Sequence, residues 1–388
     1  MHRVQLHYTL SRDAGDALIR NPLPEMLEAV AQQGSISGAA RALGLSYRHV
    51  WGALKRWEDQ LGGELVTWGK GQSAQLSEFG TKLLWAERQA QARLAPQIAA
   101  LHADLERAFA VAFDDSTHVL TMYASHDDAL GALRAHAATP GEGGALHLDI
   151  RFTGSVDAIR ALNEGRCTLA GFHTLEDPAA DSLAARTYRP LLQPGRHKII
   201  GFARRTQGLI VARGNPLGLH TLSAHVYVFL HNHTLADVAR TGARFVNRPL
   251  GSGTRVLLGD LLAMAGLTPE DITGYELNEP SHGAVAQAVA AGAADVGMGI
   301  ALAAHARGLD FVPLVHERYH LACLKSTLDQ PATSALRAVL QTPAWQERMH
   351  AMPGYAPMHC GEVLAMSTVL PWWRFSGRKR SAGTRQKP

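Results

Sequence analysis

Residues 34–57 read GSISGAARALGLSYRHVWGALKRW, a pattern of two short helices separated by a glycine turn. Ser37 is placed to cap the first helix, because a serine hydroxyl accepts hydrogen bonds from the free amides at a helix start. Gly44 is expected to end that helix, since glycine adopts a left-handed conformation without steric cost. Ser46 is placed to cap the second helix. The arrangement predicts a helix-turn-helix, whose second helix enters the major groove of DNA.

The second helix separates an apolar side from a polar one. Val50, Leu54 and Trp57 recur at spacings of four and three residues and are expected to face the core. The opposite side is cationic, aromatic and capable of hydrogen bonding, which suits a DNA groove. Its residues are Tyr47, Arg48, Trp51, Lys55 and Arg56. The alternative is an αα-hairpin of any helical protein, with these charges merely solvated.

A β-hairpin is predicted directly after this helix. Residues 62–68 and 74–77 flank the polar, glycine-rich loop 69–73, which carries Lys70 at its tip. Helix-turn-helix followed by hairpin predicts a winged helix-turn-helix domain over residues 1–77.

The stretch from residue 23 to residue 91 resembles the winged-helix domain of the molybdate-responsive regulator ModE and, more distantly, the LysR-type regulators. The matching pieces are GSISGAARALGLSYRHVW, LVTWGKGQ and LSEFGTKLL. The resemblance implies a double-stranded DNA operator as partner and places Lys70 on the wing. It also implies that the recognition helix begins with Ser46, Tyr47, Arg48, His49 and Trp51.

Residues 78–112 hold one long helical pattern, interrupted only by Pro96. A helix of this length with a single apolar stripe is expected to pair with a second copy, which predicts a homodimer or higher homo-oligomer. A dimer with two helix-turn-helix motifs also suits a DNA site with two-fold symmetry. The alternative is a helix that folds back on its own domain.

From residue 118 to residue 345, strand patterns alternate with helical ones, which predicts an α/β domain with crossover helices. The early strands are predicted at 119–124, 146–152 and 168–172, with helices at 127–138 and 155–165. Later short strands are predicted separately at 199–202, 209–212, 311–315 and 319–325.

Several corners after these strands carry hydroxyl groups and glycines. Ligands of open α/β sheets bind beyond the carboxyl ends of the strands, where backbone amides at helix starts can hold an anion. The corners are Ser125-His126, Thr153-Gly154-Ser155, the run 247–255 and Ser281-His282-Gly283. Each corner alone is equally compatible with an ordinary loop and helix cap.

Residues 119–340 resemble the type II periplasmic-binding-protein-like domain of the molybdate-binding class. The matching pieces are SVDAIRALNEGRCTLAGFH, FVNRPLGSGTRVLLGDLL, SHGAVAQAVAAGAADVGMGIA and ERYHL. The resemblance implies two lobes that close over a small ligand, here molybdate, tungstate or a molybdopterin-related molecule. The candidate ligand-binding residues are Ser125, His126, Ser155, Arg248, Ser252, Gly253, Thr254, Arg255, His282 and Tyr319.

Two departures from these families leave the ligand open. ModE proteins end in small molybdate-binding β-barrel domains, which this sequence does not show. Classical molybdate sites use mostly neutral donors, whereas Arg248, Arg255 and several histidines lie in the candidate site. A carboxylate such as formate, or a phosphate-bearing pterin, is therefore an alternative.

Composition adds expectations about compartment and chemistry. The sequence shows no long apolar run, so a cytoplasmic protein without a membrane partner is expected. Three separated cysteines indicate neither a disulfide framework nor a cysteine zinc site. His231 and His233 lack further ligands nearby, so no metal site is predicted. Residues 374–388 carry six Lys and Arg without Asp or Glu, and are predicted to be disordered.

Together these features predict a ligand-responsive transcription regulator and no enzyme. The predicted fold is α/β overall, with a helical winged domain, a linker helix and a C-terminal two-lobed α/β domain. The competing class is an enzyme or cofactor-handling protein of molybdenum-cofactor metabolism, in which the winged domain serves only for dimerisation or autoregulation.

Overall fold

The computed structural model describes residues 22–68, 73–113, 118–138, 146–219 and 231–373. Contacts divide the chain into two compact units, one made mainly of residues up to 102 and the other of the rest. The predicted fold class is confirmed, with helices of a winged helix-turn-helix first and an α/β domain after them.

The first unit contains three short helices, a two-stranded sheet and most of a long helix, whose residues from 103 onward belong to the second unit. Their bounds are α1 Pro22–Gln33, α2 Ile36–Ala42, α3 Tyr47–Leu61, β1 Val66–Trp68, β2 Ala74–Leu76 and α4 Glu78–Phe113. The core of this unit includes the fully buried Leu27, Val30, Ala39 and Val50. Amphipathic helices this short depend on such a shared core for stability.

The helix caps follow local chemistry, with one correction. Ser46 caps α3, because its hydroxyl accepts a hydrogen bond from the His49 amide at 3.1 Å. The prediction that Ser37 caps α2 is wrong. Ser35 has the extended backbone of a cap and accepts from the Gly38 amide at 3.0 Å, whereas Ser37 lies inside the helix.

The wing and the long helix meet closely. Strand β1 pairs antiparallel with β2, and residues 69–72, including Lys70, lie outside the described part of the chain. A Cβ atom at Gly80 would lie 2.2 Å from the Leu65 carbonyl oxygen, so only glycine allows α4 to start against β1. Helix α4 then continues without a break through Pro96.

The second unit is built on a nine-stranded mixed sheet in the order β4-β3-β5-β9-β6-β8-β7, with β10 and β11 added along β6. The strands are β3 His118–Ala124, β4 Leu146–Phe152, β5 Leu169–Leu175, β6 His197–Val211, β7 Phe245–Val246, β8 Val296–Ile300, β9 Asp310–Leu324, β10 Tyr355–Pro357 and β11 Val363–Leu364. The helices are α5 Asp128–Ala137, α6 Ser155–Asn163, α7 Leu183–Tyr188, α8 His231–Thr241, α9 Gly253–Met264, α10 His282–Ala290, α11 Ala301–His305, α12 Pro331–Gln341, α13 Pro343–His350 and α14 Met366–Val369.

Two long strands, β6 and β9, join the two lobes. The first lobe is built on β3, β4 and β5, and the second on β7 and β8, each with its own buried core. The prediction of separate short strands is wrong here. Strands β6 and β9 each run for 15 residues and pair with each other along most of their length.

The sheet continues past residue 345, where the sequence pattern ended the domain. Strands β10 and β11 both pair with β6, so residues 355–364 belong to the same sheet. Trp372 is buried, and the Trp373 indole donates to the Leu192 carbonyl at 3.0 Å. Residues 374–388 lie outside the described part of the chain. Within that part, no helix is both long and apolar enough to cross a membrane.

Candidate functional site

The outer face of α3 presents the residues predicted to contact DNA. Tyr47, Arg48, His49, Trp51 and Arg56 are all exposed. Residues four apart lie on the same side of a helix, so these side chains form one continuous surface. The surface combines two guanidinium groups, an imidazole and two aromatic rings.

Lys55 lies partly in this surface but also has a structural role. Its ammonium is 2.6 Å from Glu58 Oε2, and this hydrogen bond is the main cause of its raised pKa. Glu58 also accepts from the Leu65 amide at 2.8 Å and the Val66 amide at 3.3 Å. The pair therefore holds the first wing strand against the recognition helix. The hydroxyl of Ser46 is likewise engaged in capping.

In the second unit, the starts of two helices from different lobes meet. The Val156 amide, in the first turn of α6, donates to the Gly251 carbonyl just before α9 at 3.2 Å. A Cβ atom at Gly253 would lie 3.0 Å from Ser155 Oγ and 2.7 Å from His173 Cδ2. The lobes are thus in direct contact at this point, and the amide ends of both helices meet there.

Hydroxyl groups gather at this junction. Ser125 Oγ lies 3.4 Å from Ser155 Oγ, and both residues are buried. Ser252 caps α9 by accepting from the Arg255 amide at 3.3 Å, which leaves its own proton free to donate. Helix starts and serine hydroxyls together favour an anion.

A buried ionic network lies beside the hydroxyl groups. Arg205 donates to Asp127 and to Glu317, whose Oε1 is 2.5 Å from Arg205 Nε. Gln207 Nε2 donates to the same Glu317 oxygen at 3.1 Å and to Thr254 Oγ1 at 3.2 Å. Burial alone lowers the pKa of Arg205, and the two carboxylates outweigh that effect and raise it. Arg205 is therefore a fully compensated cation.

Arg248 is a second buried arginine with a different environment. Its side chain is only 3% exposed, and its Nε and Nη1 atoms have no hydrogen-bond partner among the described residues. Burial, and then the charge of Arg205, lower the pKa of Arg248 to about 10. The guanidinium remains charged at neutral pH and lacks a counter-ion in contact with it within the described part of the chain.

The imidazole groups of the cluster are neutral. Burial, and then Arg248, lower the pKa of His126 to about 4. Burial and the neighbouring cations also lower the pKa values of His173 and His282 far below their usual range. Tyr319 packs on His173 with ring centroids 4.0 Å apart, and burial raises its pKa. The charges of Asp127 and Asp128 favour the charged form of Arg248 but do not offset burial and the charge of Arg205.

Residues 137–341, more than half of the chain, match the PBP superfamily domain. The chain belongs to the PBP superfamily. Residues 24–81 match the bacterial regulatory helix-turn-helix protein, lysR family, so the resemblance to LysR-type regulators is confirmed. The chain therefore combines a helix-turn-helix of the lysR family type with a domain of the PBP superfamily.

Individual relatives add little about the ligand. Uncharacterized protein YvgK of Bacillus subtilis (strain 168) is 28% identical over 55% of this chain, which spans 64% of that relative's length. The Corynebacterium glutamicum OxyR C206 mutant is 16% identical over 82% of this chain and 92% of its own, with a TM-score of 0.38. The tungstate ABC transporter from Geobacter sulfurreducens is 15% identical over 59% and 96%, with a TM-score of 0.45. At these TM-scores neither structure bears on the ligand.

The second unit brings together nine of the ten predicted ligand-binding residues and keeps one side chain apart. The nine are Ser125, His126, Ser155, Arg248, Ser252, Gly253, Thr254, His282 and Tyr319, linked by the contacts and charge interactions described above. The guanidinium of Arg255 instead stacks 3.8 Å above the Tyr275 ring and donates to the Tyr275 carbonyl at 2.8 Å. Only the backbone amide of Arg255 lies at the helix start.

Sequence analysis missed the ionic network of the PBP domain. Its members are Asp127, Arg205, Gln207, Glu317 and Tyr355, whose hydroxyl donates to Asp127 at 2.9 Å. The available signal was polar residues at alternate positions inside apolar strands, which places them on one face of the sheet.

Among the described residues, no group of three His, Cys, Asp or Glu is arranged to hold a metal ion.

Proposed function

We propose that this protein is a ligand-responsive, DNA-binding transcription regulator whose PBP domain senses a small anion. The observation that carries the proposal is Arg248, a buried guanidinium with two nitrogen atoms unpaired among the described residues. The exposed face of α3 supports a double-stranded DNA operator as the second partner.

An anion bound beside Arg248 would supply the acceptors that its guanidinium lacks among the described residues. A buried charged group without hydrogen bonds costs about 1–3 kcal/mol or more, and an anion removes that cost by accepting them. Ser125, Ser155 and Ser252 supply neutral donors close by, and the starts of α6 and α9 add favourable dipoles. A ligand without negative charge would leave the guanidinium without a negative charge in contact with it among the described residues.

Signal transmission follows from linkage between the two sites. A ligand that binds the closed lobes better than open ones shifts the protein towards closure, and closure alters operator affinity. Such a coupling is typically about 1–3 kcal/mol, or a factor of about 5–150 in affinity. The long helix α4 is the proposed dimerisation element, which would set the spacing of two recognition helices.

The identity of the anion is a separate proposal. Molybdate and tungstate come from the sequence resemblance alone, while formate and a molybdopterin-related molecule suit the additional arginine. All of them are treated as diffusible ligands and none as a covalently held cofactor.

A thermal-shift screen tests the anion-sensing function, because a ligand that binds the folded state raises the melting temperature by mass action. The probes are molybdate, tungstate, sulfate, phosphate, formate, acetate and glycolate. At least one should raise the melting temperature of the wild type and of Arg160→Gln, a surface control, but not of Arg248→Gln. Equal shifts in the wild type and Arg248→Gln would overturn the proposal.

A further inference from the structure

The cluster contains unpaired acceptors as well as unpaired donors. Glu317 uses Oε1 for Arg205 and Gln207, and its Oε2 has no partner among the described residues. Gln207 uses its amide nitrogen for Thr254 and Glu317, and its Oε1 is likewise unpaired there. Both side chains are fully buried. Two buried acceptor oxygens therefore receive no hydrogen bond from the described residues.

These acceptors belong to the same cluster as Arg248. His173 Nδ1 lies 3.6 Å from Glu317 Oε1 and 3.4 Å from Arg205 Nη2. Gln207 Nε2 also donates to Thr254 Oγ1 at 3.2 Å, in the first turn of the helix that Ser252 caps, so the acceptors adjoin the helix start that is proposed to bind the anion. One ligand of modest size can therefore meet the cation and the acceptors together.

Arg248 requires a negatively charged acceptor group on the ligand, whereas Glu317 and Gln207 require a hydrogen-bond donor. An anion that carries only acceptor atoms satisfies Arg248 but places its own oxygens beside the Glu317 carboxylate. Each acceptor left without a donor in a buried site also keeps its desolvation cost. An anion that also carries an N–H or O–H group can bind Arg248 and can donate a hydrogen bond to the unpaired acceptors.

We infer that the ligand of this cluster combines an anionic group, bound by Arg248 and the serine hydroxyls, with a hydrogen-bond donor, bound by Glu317 Oε2 and Gln207 Oε1. Hydroxy acids, amino acids and protonated oxyanions such as hydrogen phosphate have this chemistry. Molybdate, tungstate, sulfate and formate have no such donor at neutral pH. The inference rests on the proposed anion-sensing function and narrows it.

Matched probes test the inference on the full-length wild type by calorimetric titration at neutral pH. The first set is acetate, glycolate and glycine, which share a carboxylate and differ in the donor. The second set is sulfate, molybdate and phosphate, of which only phosphate carries a proton donor. The donor-bearing member of at least one set should bind about tenfold or more tightly than its donor-free partners, because an unpaired buried acceptor costs about that much.

The variant Gln207→Met removes one acceptor while leaving the Arg205 pair with Glu317 in place. In this variant the ratio of glycolate to acetate affinity, or of phosphate to sulfate affinity, should fall severalfold, while the affinity for the donor-free anion changes little. An unchanged ratio would overturn the inference. Glu317→Gln is less informative because it removes a counter-ion of a buried arginine and endangers folding.

The outcomes separate the inference from the function on which it rests. Donor-free anions that bind as tightly as their donor-bearing partners, in a manner that requires Arg248, would overturn the inference and leave anion sensing intact. Failure of every probe to bind would overturn the anion-sensing function and the inference with it.

Discussion

Arginine residues serve three different purposes in this chain. Arg48 is exposed on α3, where a flexible cation can meet phosphate or a base edge. Arg205 is buried between two carboxylates and holds the long strands to the first lobe. Arg248 is buried without such partners and is the residue on which ligand binding depends in our proposal. Burial and neighbouring charge, and not residue type, separate these roles.

Arg48→Ala is expected to weaken operator binding by about 5- to 150-fold, because one arginine contact to DNA is typically worth about 1–3 kcal/mol. The measurement is a fluorescence anisotropy titration of operator DNA at fixed salt. Binding of anions to the PBP domain should stay unchanged. Arg160→Ala, which removes an exposed arginine from α6, is the matched control. Equal loss of DNA affinity in both variants would contradict a specific role for Arg48.

Among the secondary-structure elements of the first unit, the wing and the long helix meet at a closely packed junction. Glu58 of α3 accepts hydrogen bonds from two amides at the start of β1 and from Lys55. Gly80 of α4 approaches the Leu65 carbonyl at the same strand start. Recognition helix, wing and α4 are therefore fastened at one point, so a displacement of α4 is expected to move the wing.

Gly80→Ala should destabilise the winged domain by more than about 2 kcal/mol, because the added methyl group collides with backbone that cannot move aside. Gly52→Ala is the control in the same unit, since its Cβ atom would meet only the end of the Arg56 side chain at 3.7 Å. This control should stabilise α3 by up to about 1 kcal/mol through helix propensity. Urea unfolding of both variants measures the difference, and a harmless Gly80→Ala would refute the close approach.

At the scale of the whole molecule, α4 carries two large aliphatic side chains in solvent on one side of a long helix. Leu94 is 42% exposed and Leu101 is 62% exposed, seven residues further along the helix. This spacing places both on one side, as in helices that pair with a second helix. A second copy of this chain is the proposed partner of this side.

The double substitution Leu94→Glu with Leu101→Glu should convert a dimer into a monomer, because it places like charges in the proposed helix pair. Sedimentation equilibrium measures the change, and operator affinity should fall as the second recognition helix is lost. Leu250→Glu, at a residue 79% exposed in the second lobe, is the control and should leave the mass unchanged. A double variant that sediments as the wild-type dimer would place dimerisation elsewhere, and a monomeric wild type would exclude it.

Local sequence determined the helix-turn-helix, the wing, the long helix and the early strands and helices of the α/β domain. These features depend on periodicity, on a serine at a helix start and on a glycine after a helix end, all of which act over a few residues. Ser46 and Gly44 are examples, since Ser46 caps α3 and Gly44 has a positive φ. The hydroxyl-rich corners after the strands were visible for the same reason.

Only the tertiary structure decided that β6 and β9 are continuous strands and that β10 and β11 join the same sheet. It also decided which buried arginine is paired with carboxylates and which is not. The polar runs inside β6 and β9 look like loops until their partners are known. Arg205 meets Asp127 across 78 positions of the chain and Glu317 across 112. Arg255 turned away because Tyr275, 20 positions later, offers its ring and carbonyl. A buried charge is tolerated only where its partners are, and those partners come from distant segments that local pattern does not connect.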